Sequence, residues 1–347
     1  MKTVLLFLSC TILLGFHSVG QTGGNNAFPF LDLTYNARQM GLANDYISVM
    51  DKDINIGVAN PSMLNAEMHK NLSVNQALIP GGINVGMASY GFGLKDIGTM
   101  SGFVKYVSYG EFDRTSVNGT SEGTFSPFEM IAGAGIGRQI NKRLSVGGNL
   151  YMIHSQLETY TAFGAGIDLS GTFYNEEKQF VVTALVKNAG LQFSNYTDNS
   201  TKAPLPAEFQ LSTSYKLPHA PFRVALLAHH LNKWDLTYND PTLAPTVDPL
   251  SGDTIPVPRA GFGEKLARHF TYQVETIVSK NIHFRAGFDY HRRREIALAQ
   301  RPGVAGLSLG IGLYFSKFSI DYGFLINSRA GYNNMITLST NLGKWRK

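Results

Sequence analysis

The side chains able to do chemistry are few and poorly placed for it. Nine histidines are scattered along the chain. The adjacent pair His229 and His230 would point to opposite faces of a strand, which predicts that they do not hold one metal ion together. "GAGIG" from Gly133 and "GLSLGIG" from Gly306 have the glycine spacing of a dinucleotide loop. Neither opens a helix after a strand, so both read as strand glycines. A hydrolase built on a serine and His154 would lack the GxSxG elbow that presents such a nucleophile. The tight basic run "HRRRE", His291 to Glu295, is short enough to be a solvated strand end, so no nucleic-acid partner is expected. No catalytic residue, cofactor or metal site follows from these residues, and the chain reads as a non-enzyme. What remains is a polar cluster, Glu275, Arg285 and Asp289, whose placement depends on the elements that carry it.

Those elements are strands. In "RHFTYQVETIVSKNIHFRAGFDYHRR", Phe270, Tyr272, Val274 and Val278 alternate with His269, Thr271, Gln273 and Glu275. After the turn at Ser279 to Asn281, Ile282, Phe284, Ala286, Phe288 and Tyr290 oppose His283, Arg285, Gly287, Asp289 and His291. The same alternation runs through Leu307 to Phe315, Phe318 to Asn327 and Glu208 to Lys216. Runs such as Phe125 to Ile140 and Arg143 to Thr159 exceed the roughly 9 to 11 residues a strand needs to cross a bilayer. Sandwich strands average only about 5 to 6 residues.

Composition agrees with two non-aqueous surfaces. Charged residues are 16%, aromatics 12%, and 36 of 347 residues are glycine. Residues 1–20 carry Lys2, an apolar stretch from Val4 to Phe16 and small residues before Gln21, the layout of a secretory signal peptide. Lipidation at Cys10 is the alternative, although the apolar stretch continues past it. Export without an apolar helix of spanning length leaves a soluble exported protein or a barrel. The alternation and strand length point to an all-β fold, a transmembrane antiparallel β-barrel of about 14 strands in the cell outer membrane.

Connection lengths support the same reading. "NKR", "NEEKQ", "LPHAP", "SKN" and "SK" are short, whereas "EFDRTSVNGTSEG", "SNYTDNSTKAPL" and the stretch from Asp235 to Ala267 are long. Short turns on the periplasmic rim and long loops outside are a barrel pattern. Arginine facing lipid at the midplane would cost roughly 2 to 4 kcal/mol, so Arg285 should face the lumen, with Glu275 and Asp289 near enough to neutralise it. Pro241, Pro245, Pro249, Pro256 and Pro258 stiffen the longest outer loop, the preferred partner surface. Tyr106, Tyr109, Tyr290 and Tyr322 are candidates for interfacial girdles. "FVVTALVK" and "FRVALLAHH" are apolar on both faces, so their boundaries stay loose.

The residues before the first strand carry a signature. "ARQMGLANDYISVMDKDINIGVANPSML", Ala37 to Leu64, resembles the N-terminal signature of the long-chain fatty acid transporter-like outer-membrane barrels, with Arg38, Gly41, Asn60 and Pro61 at its marked positions. "HHLNKWDLTY", "EKLARHFTYQVE", "HRRREIAL", "GVAGLSLGIG" and "SKFSIDYGF" resemble the PorV/PorQ family of type IX secretion system proteins of Bacteroidetes. The end "NLGKWRK" departs from a strand-terminal aromatic. The resemblance implies a component of the attachment complex that tethers a PorZ-like surface protein, beside a PorU-like sortase and a PorV-like barrel, during anchoring of cargo to lipopolysaccharide. A transporter for hydrophobic small molecules is the alternative. The division expected is signal peptide 1–20, hatch 21–68, barrel 69–342 and tail 343–347. The polar hatch stretch would lie in the lumen or, alternatively, form a periplasmic lead-in loop.

Overall fold

A computed structural model describes residues 26–79, 81–175, 177, 179–197, 202–238, 245–247, 250–251, 253–257, 259–296, 303–328 and 331–345. The expected signal peptide, Pro241, Pro249 and Pro258 lie outside these residues, as do the last two residues of the tail.

Alternating side chains give strands whose two faces meet different surroundings, and the strands close on themselves. The barrel runs β1 Asn71–Ile79, β2 Ile83–Leu94, β3 Gly98–Ser108, β6 Phe128–Asn141, β7 Leu144–Leu157, β8 Tyr160–Asn175 and β9 Phe180–Gln192. It continues β10 Glu208–Lys216, β11 Phe222–Ala228, β14 Phe270–Ile277, β15 Ile282–Asp289, β16 Leu307–Tyr314, β17 Phe318–Ser328 and β18 Gly331–Asn341. Each strand pairs antiparallel with its sequence neighbours, and β1 closes on β18 from Asn71↔Asn341 to Leu78↔Asn334. Fourteen strands put both ends of the wall on one rim, which is periplasmic in a barrel of the outer membrane. Among the described residues no helix is long and apolar enough to cross a membrane; the strands do so.

The wall is taller on one side. β6 to β9 have 14, 14, 16 and 13 residues, whereas β10, β11, β14, β15 and β16 have 9, 7, 8, 8 and 8. Over the low side lie the connection between β11 and β14, with a helix Phe262–Ala267, and a second helix Tyr290–Ile296. The second helix corrects the reading of "HRRRE" as a strand end: β15 stops at Asp289, whose carboxylate accepts the Arg292 amide at 3.0 Å and so caps the helix. The loop between β3 and β6 is a hairpin, β4 Phe112–Thr115 with β5 Ser121–Phe125, closed by stacked Phe112 and Phe125. A further two-stranded piece, β12 Thr246–Val247 with β13 Thr254–Ile255, lies in the proline-rich loop. Tyr109 is not a girdle residue: its hydroxyl donates to Glu129 at 2.5 Å and its ring packs on the interior apolar cluster.

The outward face is apolar, with Leu150, Met152, Leu169, Tyr272 and Ile336 all more than half exposed. The inward face is buried, although a bare barrel of this size would hold water there. Residues 26–69 fill it. They form short turns of helix, Pro29–Asp32, Ala37–Met40, Ile54–Ala59, Pro61–Met63 and Ala66–Met68. Side-chain caps start four of them: Asn36, Asp53, Asn60 and Asn65 each accept a backbone amide from the following turn. Asn60-Pro61 therefore ends one helical turn and opens the next, with proline at the position where no donor is needed.

Candidate functional site: the filled lumen

The register of the low wall sets three charges in one row. Arg223 pairs across to Glu275, and Glu275 to Arg285. All three face inward, and Glu275 and Arg285 are almost wholly buried. Arg285 Nε donates to Glu275 Oε1 at 3.0 Å and Arg223 Nη1 to Glu275 Oε2 at 2.8 Å. Into this row the N-terminal segment inserts Arg38. Its Nε and Nη2 donate to the two oxygens of Glu275 at 3.1 and 3.0 Å, a forked contact. Its Nη1 reaches Asp51 at 2.7 Å and Asp53 at 3.3 Å. Arg285 is also held by Asp321 at 2.6 Å and by the Tyr314 hydroxyl at 2.5 Å. Buried charges survive only when paired in this way.

Glu275 and Arg285 are thus brought together as the sequence suggests, but Asp289 is not part of the group. It stands at the other end of β15, facing Arg292. Asp321, Arg223 and Arg38 complete the cluster instead. The signal for Asp321 is in the sequence, on the polar face of "FSIDYGF"; Arg223 is hidden in a strand apolar on both faces.

The other signature residues meet the wall through glycine. A Cβ on Gly310 would lie 3.1 Å from Gly41 Cα, and one on Gly41 would lie 2.9 Å from Gly310 Cα. Pro61 rests on the cross-strand pair Gly137↔Gly147, where an added Cβ would meet Pro61 atoms at 2.3 Å in both cases. Gly287 and Gly323 admit the backbone of Leu42 and Ala37 in the same manner. Of the glycines that resemble dinucleotide loops, Gly137 and Gly310 are therefore contact points for backbone of the N-terminal segment, whereas Gly135 and Gly312 make room for wall side chains. Asn60 ties the turn down, donating to the Ile47 carbonyl at 2.6 Å and accepting from the Ser62 hydroxyl at 2.7 Å.

The lumen is chemically divided. Towards the periplasm lies the ionic cluster, bordered by a cavity of ≈ 440 Å³ with Lys52, Glu67, Lys280 and His283 on its walls. Towards the outside, Val85, Met87, Phe103, Val107, Ile131, Ile153, Leu325 and Met335 form an apolar lining. Phe28, Phe30, Leu31, Tyr35 and Met40 of the N-terminal segment fill the space that this lining encloses. Phe28 meets Phe30 edge-on at 6.3 Å, and the Ala27 amide donates to the Pro204 carbonyl in an outer loop at 2.8 Å.

Two further groups lie at the outer mouth. His229 and His230 follow the end of β11, and His230 has φ 53, so the strand rule that separates neighbours does not apply. Their Nδ1 atoms are 2.7 Å apart, which corrects the expectation that they diverge. Burial pushes both imidazoles down to about 4, against the pull of the Glu208 carboxylate, so both are neutral at pH 7. His154 lies near the outer end of β7 with its ring against Phe163 at 4.9 Å. In the outer loop, Pro245 and Pro256 are exposed.

No family model matches the chain, and no curated protein matches it. Solved structures do. The Pseudomonas putida toluene transporter TodX aligns with TM-score 0.53 at 13% identity, over 90% of this chain and 99% of that one. The deltaS2S3 mutant of the TodX monoaromatic hydrocarbon channel aligns with TM-score 0.52 at 12% identity, over 89% and 99%. The likeness is one of fold: a closed outer-membrane barrel, here of fourteen strands.

Proposed function

We propose that this outer-membrane barrel is a plugged conduit for small hydrophobic molecules, with residues 26–69 as the plug. The observation that supports it most is the apolar chamber in the outer lumen on the side of β2, β3, β6, β7, β17 and β18. A water-filled porin lines its channel with polar groups, whereas here an apolar chamber is built and then occupied by Phe28, Phe30 and Leu31. The plug is held by polar contacts at two levels, Arg38 with Glu275 towards the periplasm and Asp45 with Lys187 towards the outside. The role is non-enzymatic. An apolar solute entering from outside competes with the plug's own aromatic side chains, so its apparent affinity is lowered by the fraction of time the chamber is filled.

Phe28→Ala/Phe30→Ala vacates part of the chamber. Purified in detergent, this variant should bind an environment-sensitive naphthylamine dye at least about tenfold more tightly than the unsubstituted barrel. Equal, undetectable binding by both would remove the conduit reading.

A second reading, the interaction scaffold, is supported by the outer loop. Trp234 and Phe262 meet with tilted rings 5.3 Å apart, and Phe262 is 71% exposed with Leu266 beside it on the same helix. Such a patch suits a protein partner, and the family resemblance suggests the PorZ-like surface protein, with the PorU-like sortase, the PorV-like barrel and lipopolysaccharide in the same assembly. Phe262→Glu/Leu266→Glu leaves the barrel wall untouched and should release such a partner from gently solubilised membranes. Unchanged co-purification would exclude this patch as the docking site.

A further inference from the structure

We propose that Glu208, His229 and His230 form a binding site for a divalent transition metal of the zinc type at the outer mouth, with His291 as a fourth ligand. The first three each offer a ligand atom, and these atoms all lie within 4.8 Å of one another. The His229 and His230 Nδ1 atoms are 2.7 Å apart, and His230 Nδ1 is 3.4 Å from Glu208 Oε1. Ligands about 2.0–2.1 Å from a tetrahedral zinc lie about 3.3 Å from each other, so small side-chain rotations complete the geometry. Two imidazoles and a carboxylate favour zinc and its neighbours over magnesium or calcium, which take oxygen donors.

The site is built rather than incidental. His229 is 6% exposed, and its backbone is pinned from both sides: its amide donates to the His269 carbonyl at 2.9 Å, and its own carbonyl lies 2.8 Å from His269 Nδ1. The Glu208 carboxylate is oriented by the Gln210 side chain at 2.9 Å and the His230 amide at 3.0 Å, both donating to Oε1. These are the outer contacts that fix a metal-binding carboxylate.

Without an ion the cluster is poorly satisfied. His229 Nε2 is buried with no hydrogen-bond partner. His291 Nδ1 is also buried without a partner, and its ring centroid lies 6.2 and 6.0 Å from those of His229 and His230. Lys187 Nζ has Asp45 at 2.6 Å, Glu208 at 3.1 Å and Asp32 at 3.9 Å. Lys187 occupies Glu208 Oε2, while Oε1 faces His230. A bound cation ties the rims of β10 and β11 to the helix Tyr290–Ile296, closing the low side of the mouth.

The test uses the full barrel, stripped with chelator in detergent and titrated with zinc alone. One equivalent should remain after dialysis. His230→Ala and Glu208→Gln should each weaken retention at least about tenfold, while His219→Ala in a periplasmic turn should not. Gel mobility before and after heating checks that each variant is folded. Cobalt added to the unsubstituted protein supplies a second readout, the intense visible bands of a four-coordinate site. No zinc retained, retention unchanged in both ligand variants, or only the weak spectrum of hydrated cobalt would overturn the proposal.

Discussion

Glu275→Ala should destabilise the barrel by about 3–5 kcal/mol, the range for removing one partner from a buried ion cluster. The carboxylate is the only group bonded to all three of Arg38, Arg223 and Arg285 among the described residues. Removing it leaves three guanidinium groups close together, with Asp51, Asp53 and Asp321 the nearest remaining carboxylates for two of them. Relief comes from withdrawing the one that is not part of the wall, so Arg38 should leave and take its segment with it. Trypsin should then cut after Arg38 and Lys52 in the variant and spare both sites in the unsubstituted protein. Arg38→Met should cost less, because Glu275 retains its two wall arginines. Equal stability of Glu275→Ala and the parent in urea titration would show that the cluster does not hold the segment.

Gly147→Val should expel the same segment by a different route. Its Cβ would fall 2.3 Å from the Pro61 carbonyl carbon, and the neighbouring Gly137 leaves that proline nowhere else to settle. Overpacking of this kind costs typically about 1–3 kcal/mol, here concentrated on the contact between wall and plug. Gly102→Val, on the outward face of β3, has open space around its Cβ and should change stability by less than about 0.5 kcal/mol. Single-channel conductance separates the two: a raised, noisy current for Gly147→Val and the parent's trace for Gly102→Val. Matching traces would mean that Pro61 does not seat the plug.

Both predictions rest on features that the sequence displays unevenly. The alternation of Thr271, Gln273 and Glu275 against Tyr272 and Val274 is plain, because one face meets lipid and the other meets polar groups. "FVVTALVK" and "FRVALLAHH" are ambiguous for a physical reason. Val181, Leu185, Ala225 and Leu227 point inward yet are apolar, since they pack on Leu42, Tyr46, Ile47 and Val49 of the plug. The pairing of Glu275 with Arg285 follows from strand register, which the short turn between them sets. Asp289 shares the inward face of Arg285 but ends β15 away from the cluster, where a helix begins one residue later and Arg292 becomes its partner. The convergence of His229 and His230 was hidden because it depends on one left-handed residue beyond a strand end. The wall glycines announce a crowded interior, and at Gly137, Gly147, Gly287, Gly310 and Gly323 what crowds it is backbone from residues 26–69.

A reversible lock tests directly whether the plug must move for a solute to pass. The Ala37 amide donates to the Thr337 hydroxyl at 2.9 Å, so Ala37→Cys/Thr337→Cys places two thiols between plug and wall. Reconstituted in liposomes, the reduced variant should admit a radiolabelled small apolar solute faster than empty liposomes, lose that excess when the thiols are oxidised, and regain it with reductant. Uptake that is the same in the oxidised and reduced states, or no faster than through empty liposomes in either, would contradict the account.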